Sequence, residues 1–232
     1  MRGQAIMTVS WPGDEELFAT ARRELFVAVV GDALDRLGFQ HQFLAPQVKP
    51  VDPGMVVLGR AMPVIEEDAA NIAGTLKDKP FGLMFEALDD LRAGEVYVAA
   101  GGSPRYALWG GLMSTRAIAC GAAGAVLNGY HRDTDEILRL GFPVASFGSY
   151  AQDQGPRGKV VGWRTAIEVD GVGVTPGDVV FGDRDGVVIV PQAVVPEAFA
   201  MALEKVRGET AVLQALQGGM TTVEAFAKFG IM

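Results

Sequence analysis

The chain has 232 residues, with 28 acidic against 20 basic side chains and a formal net charge of −8. Hydrophobic residues make up 49% and charged residues 21%, enough apolar side chain to bury a core, so disorder as the main state is excluded. The acidic balance argues against a generic nucleic-acid backbone binder.

A single cysteine, Cys120, excludes an intrachain disulfide framework and a cysteine zinc site. Two histidines, His41 and His131, exclude a three-histidine site within one chain. No apolar run reaches the about 18 residues of a membrane span. The start MRGQAIMTVSWPGDEE has no long apolar stretch of the signal-peptide kind. A cytoplasmic protein with no membrane and no nucleic-acid partner is expected.

Residues 14–38 read as one helix, capped by Asp14, with Glu15 and Glu16 in the first turn and Gly38 as its stop. Phe26, Val29, Val30, Ala33, Leu34 and Leu37 recur there at helical spacing. Residues 55–65 are an apolar run behind Pro53-Gly54 and read as a buried strand. A short helix is expected over 69–76 and a longer one over 79–91. Residues 95–100 then form a strand running into Gly101-Gly102.

The middle of the chain alternates: helix 110–120, strand 124–128, helix 134–140, strand 142–147. That is βαβ spacing and predicts parallel pairing. From Lys159 short strands take over, at 160–161, 166–169, 172–174, 178–181 and 187–190. Asp170-Gly171, Pro176-Gly177 and Asp185-Gly186 are the turns between them. Residues 195–217 read as a long amphipathic helix stopped by Gly218-Gly219, and Thr221 or Thr222 caps a last helix through Phe229. The whole reads as a single α/β domain over 1–232, with N-terminal helices in 1–40 and a helical arm in 195–232.

Two strand ends carry candidate chemistry. Gly110-Gly111-Leu112-Met113 opens a helix whose free N–H groups can hold an anion. Arg132-Asp133 supplies a planar anion donor beside a hard oxygen ligand. In open α/β sheets ligands sit beyond the carboxyl ends of strands. These features predict a site for a small carboxylate with Mg²⁺. His131 is either a general base beside Arg132 or a loop histidine pointing elsewhere. Residues 149–154 follow the next strand and border the same rim, where they can set substrate choice. Arg105 and Arg116 are either further anion contacts or surface residues.

The stretches ALWGGLMSTRAIACGAAGAVLNGYHRD and FPVASFG resemble the RraA-like family, as do VGDALDRLG, LGRAMPV, GVGVTPGDVVFGDRDGVVIVP and VEAFAKFGIM in that order. The family contains the regulator of ribonuclease E activity and the 4-hydroxy-4-methyl-2-oxoglutarate/4-carboxy-4-hydroxy-2-oxoadipate aldolases. The resemblance implies a swivelling β/β/α fold with a C-terminal helical arm, assembled as a trimer or hexamer with sites between subunits. It implies a lyase that uses Mg²⁺ or Mn²⁺ to cleave or decarboxylate a small 2-oxo acid.

By that resemblance Asp133 binds the metal and Arg132 contacts the 2-oxo oxygen. The Leu112 and Met113 amides, presented by Gly110 and Gly111, hold the substrate carboxylate. One departure stands out: the aldolases carry an acid where this chain has Gly111. A glutamate from a neighbour's C-terminal arm can reach the metal waters in the family, and Glu209 and Glu204 are the candidates here. The alternatives are a non-catalytic ribonuclease-binding regulator, or another enzyme on the same scaffold.

Overall fold

The computed structural model describes residues 11–230. The first ten residues and the final Ile231-Met232 lie outside the described residues, and with them most of the chain start read above and the end of the VEAFAKFGIM motif. Two compact units are present, one built from the chain ends, up to Gln40 and from Ala193 onward, the other His41–Gln192.

The expected first helix is two, α1 (Asp14–Glu24) and α2 (Val27–Arg36). Leu25 and Phe26 between them are extended, with ψ of 161 at both. A continuous helix would carry the buried Leu17–Ala21 stripe on to positions 28 and 32. Ala28 and Asp32 are exposed, and Val27, Val30 and Leu34 are buried instead. That slip of one residue is about 100° of rotation, and the break absorbs it. The N-cap is Gly13, and Asp14 is the first helical residue, a correction to its reading as the cap.

In the second unit β1 (Lys49–Pro50) precedes β2 (Val57–Asp68), which runs beyond the expected strand into Glu66, Glu67 and Asp68. The expected helix at 69–76 is two 3₁₀ turns, Ala69–Asn71 and Gly74–Asp78. The expected helix over 79–91 shrinks to α3 (Met84–Asp89). Pro80 precedes Phe81 and Gly82, both with positive φ, of 57° and 64°. Residues 81–83 then pair with Val160 in place of coiling: Val160 N donates to Phe81 O and Leu83 N to Val160 O.

Next come β3 (Glu95–Ala100), β4 (Ala107–Trp109), α4 (Gly111–Ala119), β5 (Gly124–Leu127), β6 (Tyr130–His131), α5 (Thr134–Leu140) and β7 (Val144–Ser146). The β-rich section holds β8 (Gly158–Trp163), β9 (Ile167–Val169), β10 (Val172–Val174), β11 (Val179–Asp183) and β12 (Gly186–Val190).

The eight-stranded sheet runs β1-β7-β5-β3-β2-β11-β12, with β8 also on β2. β2, β3, β5 and β7 pair in parallel, as the alternation predicted. Residues 42–44 bond β12, through Leu44 N to Val187 O and Ile189 N to Gln42 O, and the chain then reaches β7 as β1. One segment thus bridges both edges and nearly closes the sheet into a barrel. Side chains alternate across the sheet: Tyr97, Ala99 and Leu127 in one core cluster, Val96, Val98 and Val126 in the other.

The chain ends with α6 (Val195–Gln217) and α7 (Thr222–Phe229). Thr221 caps α7 in a reciprocal capping box with Glu224. Among the described residues no helix is long and apolar enough to cross a membrane.

Candidate functional site

A two-rung parallel ladder assembles the site. β4 pairs with β6, Ala107 opposite Tyr130 and Trp109 opposite His131. The next residue on each strand, Gly110 and Arg132, is therefore a neighbour of the other. Arg132 N donates to Trp109 O at 2.9 Å. Segment 148–150 flanks the other side: His131 N donates to Gly148 O and Tyr150 N to His131 O. Trp109 anchors the ladder. It is 1% exposed, stacks on Phe142, and donates from Nε1 to Ser114 Oγ at 2.7 Å.

Both glycines permit close approach. A Cβ on Gly110 would lie 2.7 Å from Asp133 Oδ2. A Cβ on Gly111 would lie 2.6 Å from Glu136 Cγ. The first helical bond of α4 is Ser114 N to Gly110 O, so the Gly111, Leu112 and Met113 amides have no partner inside the helix. Gly111 N donates to Asp133 Oδ2 at 3.1 Å. Among the described residues the amides of Leu112 and Met113 have no hydrogen-bond partner.

Asp133 sits in the left-handed region, φ 57 and ψ 44, at the head of α5. Its side chain does not cap its own helix but reaches across to α4. Oδ1 has no hydrogen-bond partner among the described residues. Arg132 Nε lies 3.8 Å from Asp133 Oδ2, and Nη1 lies 2.9 Å from Asp153 Oδ1. The guanidinium is thus held between two carboxylates. Beside Asp153, Gln154 is buried and donates from Nε2 to Glu66 Oε2 at 2.7 Å. Glu66 is 2% exposed, and burial pushes its carboxyl up to about 8.

His131 is 3% exposed, with Nδ1 2.7 Å from Ser146 Oγ and Nε2 3.1 Å from Thr134 Oγ1. Burial lowers its pKa and favours the neutral ring. Glu209 lies on α6 of the helical unit, where it pairs with Lys205 at 3.5 Å, and Glu204 on the same helix is exposed. Arg116 donates to Asp89 Oδ1 at 2.8 Å.

A cavity of about 510 Å³ brings the rest together. Gly110, Leu112, Met113, Arg132 and Asp133 line it, with Asp153 and Gln154, and His131 does not. Among the described residues no three histidine, cysteine or acidic side chains form a metal cluster. The donor set still suits a small hard cation, since Mg²⁺ is ordinarily held by one or two carboxylates with water and substrate oxygens. Asp133 offers a free oxygen, whereas the Glu136 side chain fills the space beside Gly111 with both carboxylate oxygens bound by Arg139, and it does not line the cavity. Glu136 was legible only as an acid of the first turn of α5.

The mixed, nearly closed sheet with helices packed on it makes this an α/β protein. Residues 27–189 match the RraA-like family (Aldolase/RraA), and the chain belongs to that family. It is 36% identical over 126 residues to a putative 4-hydroxy-4-methyl-2-oxoglutarate aldolase of Burkholderia mallei, covering 53% of this chain and 76% of that one. It is 27% identical over 190 residues to protein DlpA of Legionella pneumophila, covering 80% of this chain but only 30% of that longer protein. An uncharacterized protein from Pseudomonas syringae superposes with a TM-score of 0.81 at 25% identity, over 96% of this chain and 100% of that one.

Proposed function

We propose that this protein is a divalent-metal-dependent lyase that cleaves or decarboxylates a small 2-oxo acid. The observation that carries it is one cavity lined by Arg132, Asp133 and the helix start whose Leu112 and Met113 amides are unpartnered. The likeness to a putative aldolase supports the same reading.

The two amides bind the substrate carboxylate. Arg132 donates to the 2-oxo oxygen, where negative charge collects as the enolate forms, and Asp153 holds the guanidinium in place. Asp133 would hold Mg²⁺ or Mn²⁺, which when bound would supply Lewis-acid polarisation of the oxo acid. His131, held neutral between two hydroxyls, positions Thr134 and the strand end.

Pyruvate release from oxaloacetate and from 4-hydroxy-4-methyl-2-oxoglutarate tests the proposal, in chelator and after Mg²⁺ or Mn²⁺ is restored. Turnover that vanishes with chelator and returns with metal is expected. Absence of metal-dependent turnover of any 2-oxo acid overturns it.

A further inference from the structure

We infer that the substrate of this site is a 4-hydroxy-2-oxo acid whose carbon 4 carries an apolar aromatic or branched alkyl group in place of a second carboxylate. This inference rests on the lyase reading and names its substrate class.

Charge is the first reason. The cavity is lined by the carboxylates of Asp89, Asp133 and Asp153 against the guanidiniums of Arg116 and Arg132, a formal surplus of one negative charge. Both cations are engaged, Arg116 with Asp89 at 2.8 Å and Arg132 with Asp153 at 2.9 Å. No lysine or further arginine is among the lining residues. A metal and Arg132 together answer one carboxylate and a developing enolate. A second carboxylate would enter a cavity already in negative surplus, where the remaining cation, Arg116, is paired with Asp89.

The wall itself is the second reason. Phe81, Met84, Phe85, Leu88, Leu112 and Met113 line the cavity. Phe85 is 54% and Leu112 87% exposed, and apolar side chains gathered around one cavity mouth mark a binding surface. Phe81 and Phe85 meet edge to face at 5.7 Å. The Phe81 backbone is held at φ 57 by its pairing with Val160, and strain of this kind concentrates at ligand clamps. Leu112 and Met113 join the two halves: their amides face the carboxylate and their side chains belong to the apolar wall. The cavity exceeds a three-carbon oxo acid by far, and the excess is hydrophobic.

In the cleavage the C3–C4 bond breaks and its electron pair stays on carbon 3 as the enolate. The C4 hydroxyl gives up its proton and becomes the carbonyl of an apolar aldehyde. Carbon 3 then takes up a proton to give pyruvate.

Binding separates this inference from the lyase reading. With Mg²⁺ present, calorimetry on the full chain compares the unreactive 2-oxo-4-phenylbutanoate with 2-oxoglutarate. The phenyl compound is expected to bind at least about tenfold tighter. Equal affinity, the result if a second copy of this chain fills the apolar wall, overturns the inference. Turnover of 4-hydroxy-2-oxo-4-phenylbutanoate, 4-hydroxy-4-methyl-2-oxoglutarate and oxaloacetate is then measured. Tight phenyl binding without turnover of any of them supports the apolar tail and sinks the lyase reading. Turnover of the diacid with weak phenyl binding sinks the tail and leaves the lyase. Phe85→Ser is expected to lower the phenyl-to-diacid ratio of kcat/KM about tenfold, and an unchanged ratio overturns the inference. A loss in Arg116→Gln confined to the diacid overturns it as well.

Discussion

Gly111 and Glu136 share one volume. A Cβ added to Gly111 would lie 2.6 Å from Glu136 Cγ and 3.1 Å from its Cβ. The missing side chain on α4 is what lets the acid of α5 lean over the helix start. Gly111→Ala therefore crowds Glu136 and shifts the helix start that presents the Leu112 and Met113 amides, and a fall of about tenfold in kcat/KM for oxaloacetate is expected with little change in Tm. Steady-state assays check the rate and thermal melting the stability.

Arg132→Lys keeps a positive charge but loses the planar fork that meets Asp153 and an oxo oxygen together. Its kcat/KM falls by about 10²–10³, the usual cost of removing one oxyanion donor. Kinetics on a variant with an unchanged circular dichroism spectrum check this.

Asp153→Asn keeps the shape of the loop and removes the charge that holds Arg132 Nη1 at 2.9 Å. The pair is half-exposed, so its share of fold stability is small. kcat is expected to fall about tenfold while KM and Tm hold, because the loss is one of orientation. A fall in Tm that tracks the fall in kcat would mark the contact as structural only.

Burial holds the Glu66 carboxyl at about 8, against 4.5 for a free glutamate. The folded chain therefore keeps a proton that the unfolded chain releases. Stability is full below pH 4.5 and is lost as pH rises toward 8, by about 1.4 kcal/mol per unit, then levels off. Glu66→Gln keeps an acceptor for Gln154 and does not titrate. Its Tm advantage over the parent is expected to widen from pH 5 to pH 8, and parallel melting curves would contradict the assignment.

Much of this architecture was legible in the sequence because it follows from local chemistry. Alternating apolar strands and helices at 95–147 foretold the parallel core. The glycines before Leu112 and the Arg132-Asp133 dipeptide marked the two segments that the cavity brings together. What escaped depends on distant pairing. β4 and β6 are too short to show a period, yet their ladder sets Gly110 beside Arg132. Phe81 was read into the helix that the stretch from Leu83 to Leu91 suggests, but Val160, far along the chain, draws it into a strand-like turn. Asp153 and Gln154 lay in a segment read only as a rim, since nothing local tells that one would meet Arg132 and the other Glu66.

The ladder of Ala107–Trp109 with Tyr130–His131 has a further consequence. Amides and guanidinium hang from one short girder, so they shift or stay together. Residues 81–88 and 150–157 lie outside it and border the cavity from separate elements. A redesign that changes the guest can recut 81–88 freely, while the girder, with Asp153 against Arg132, keeps the reacting groups in step.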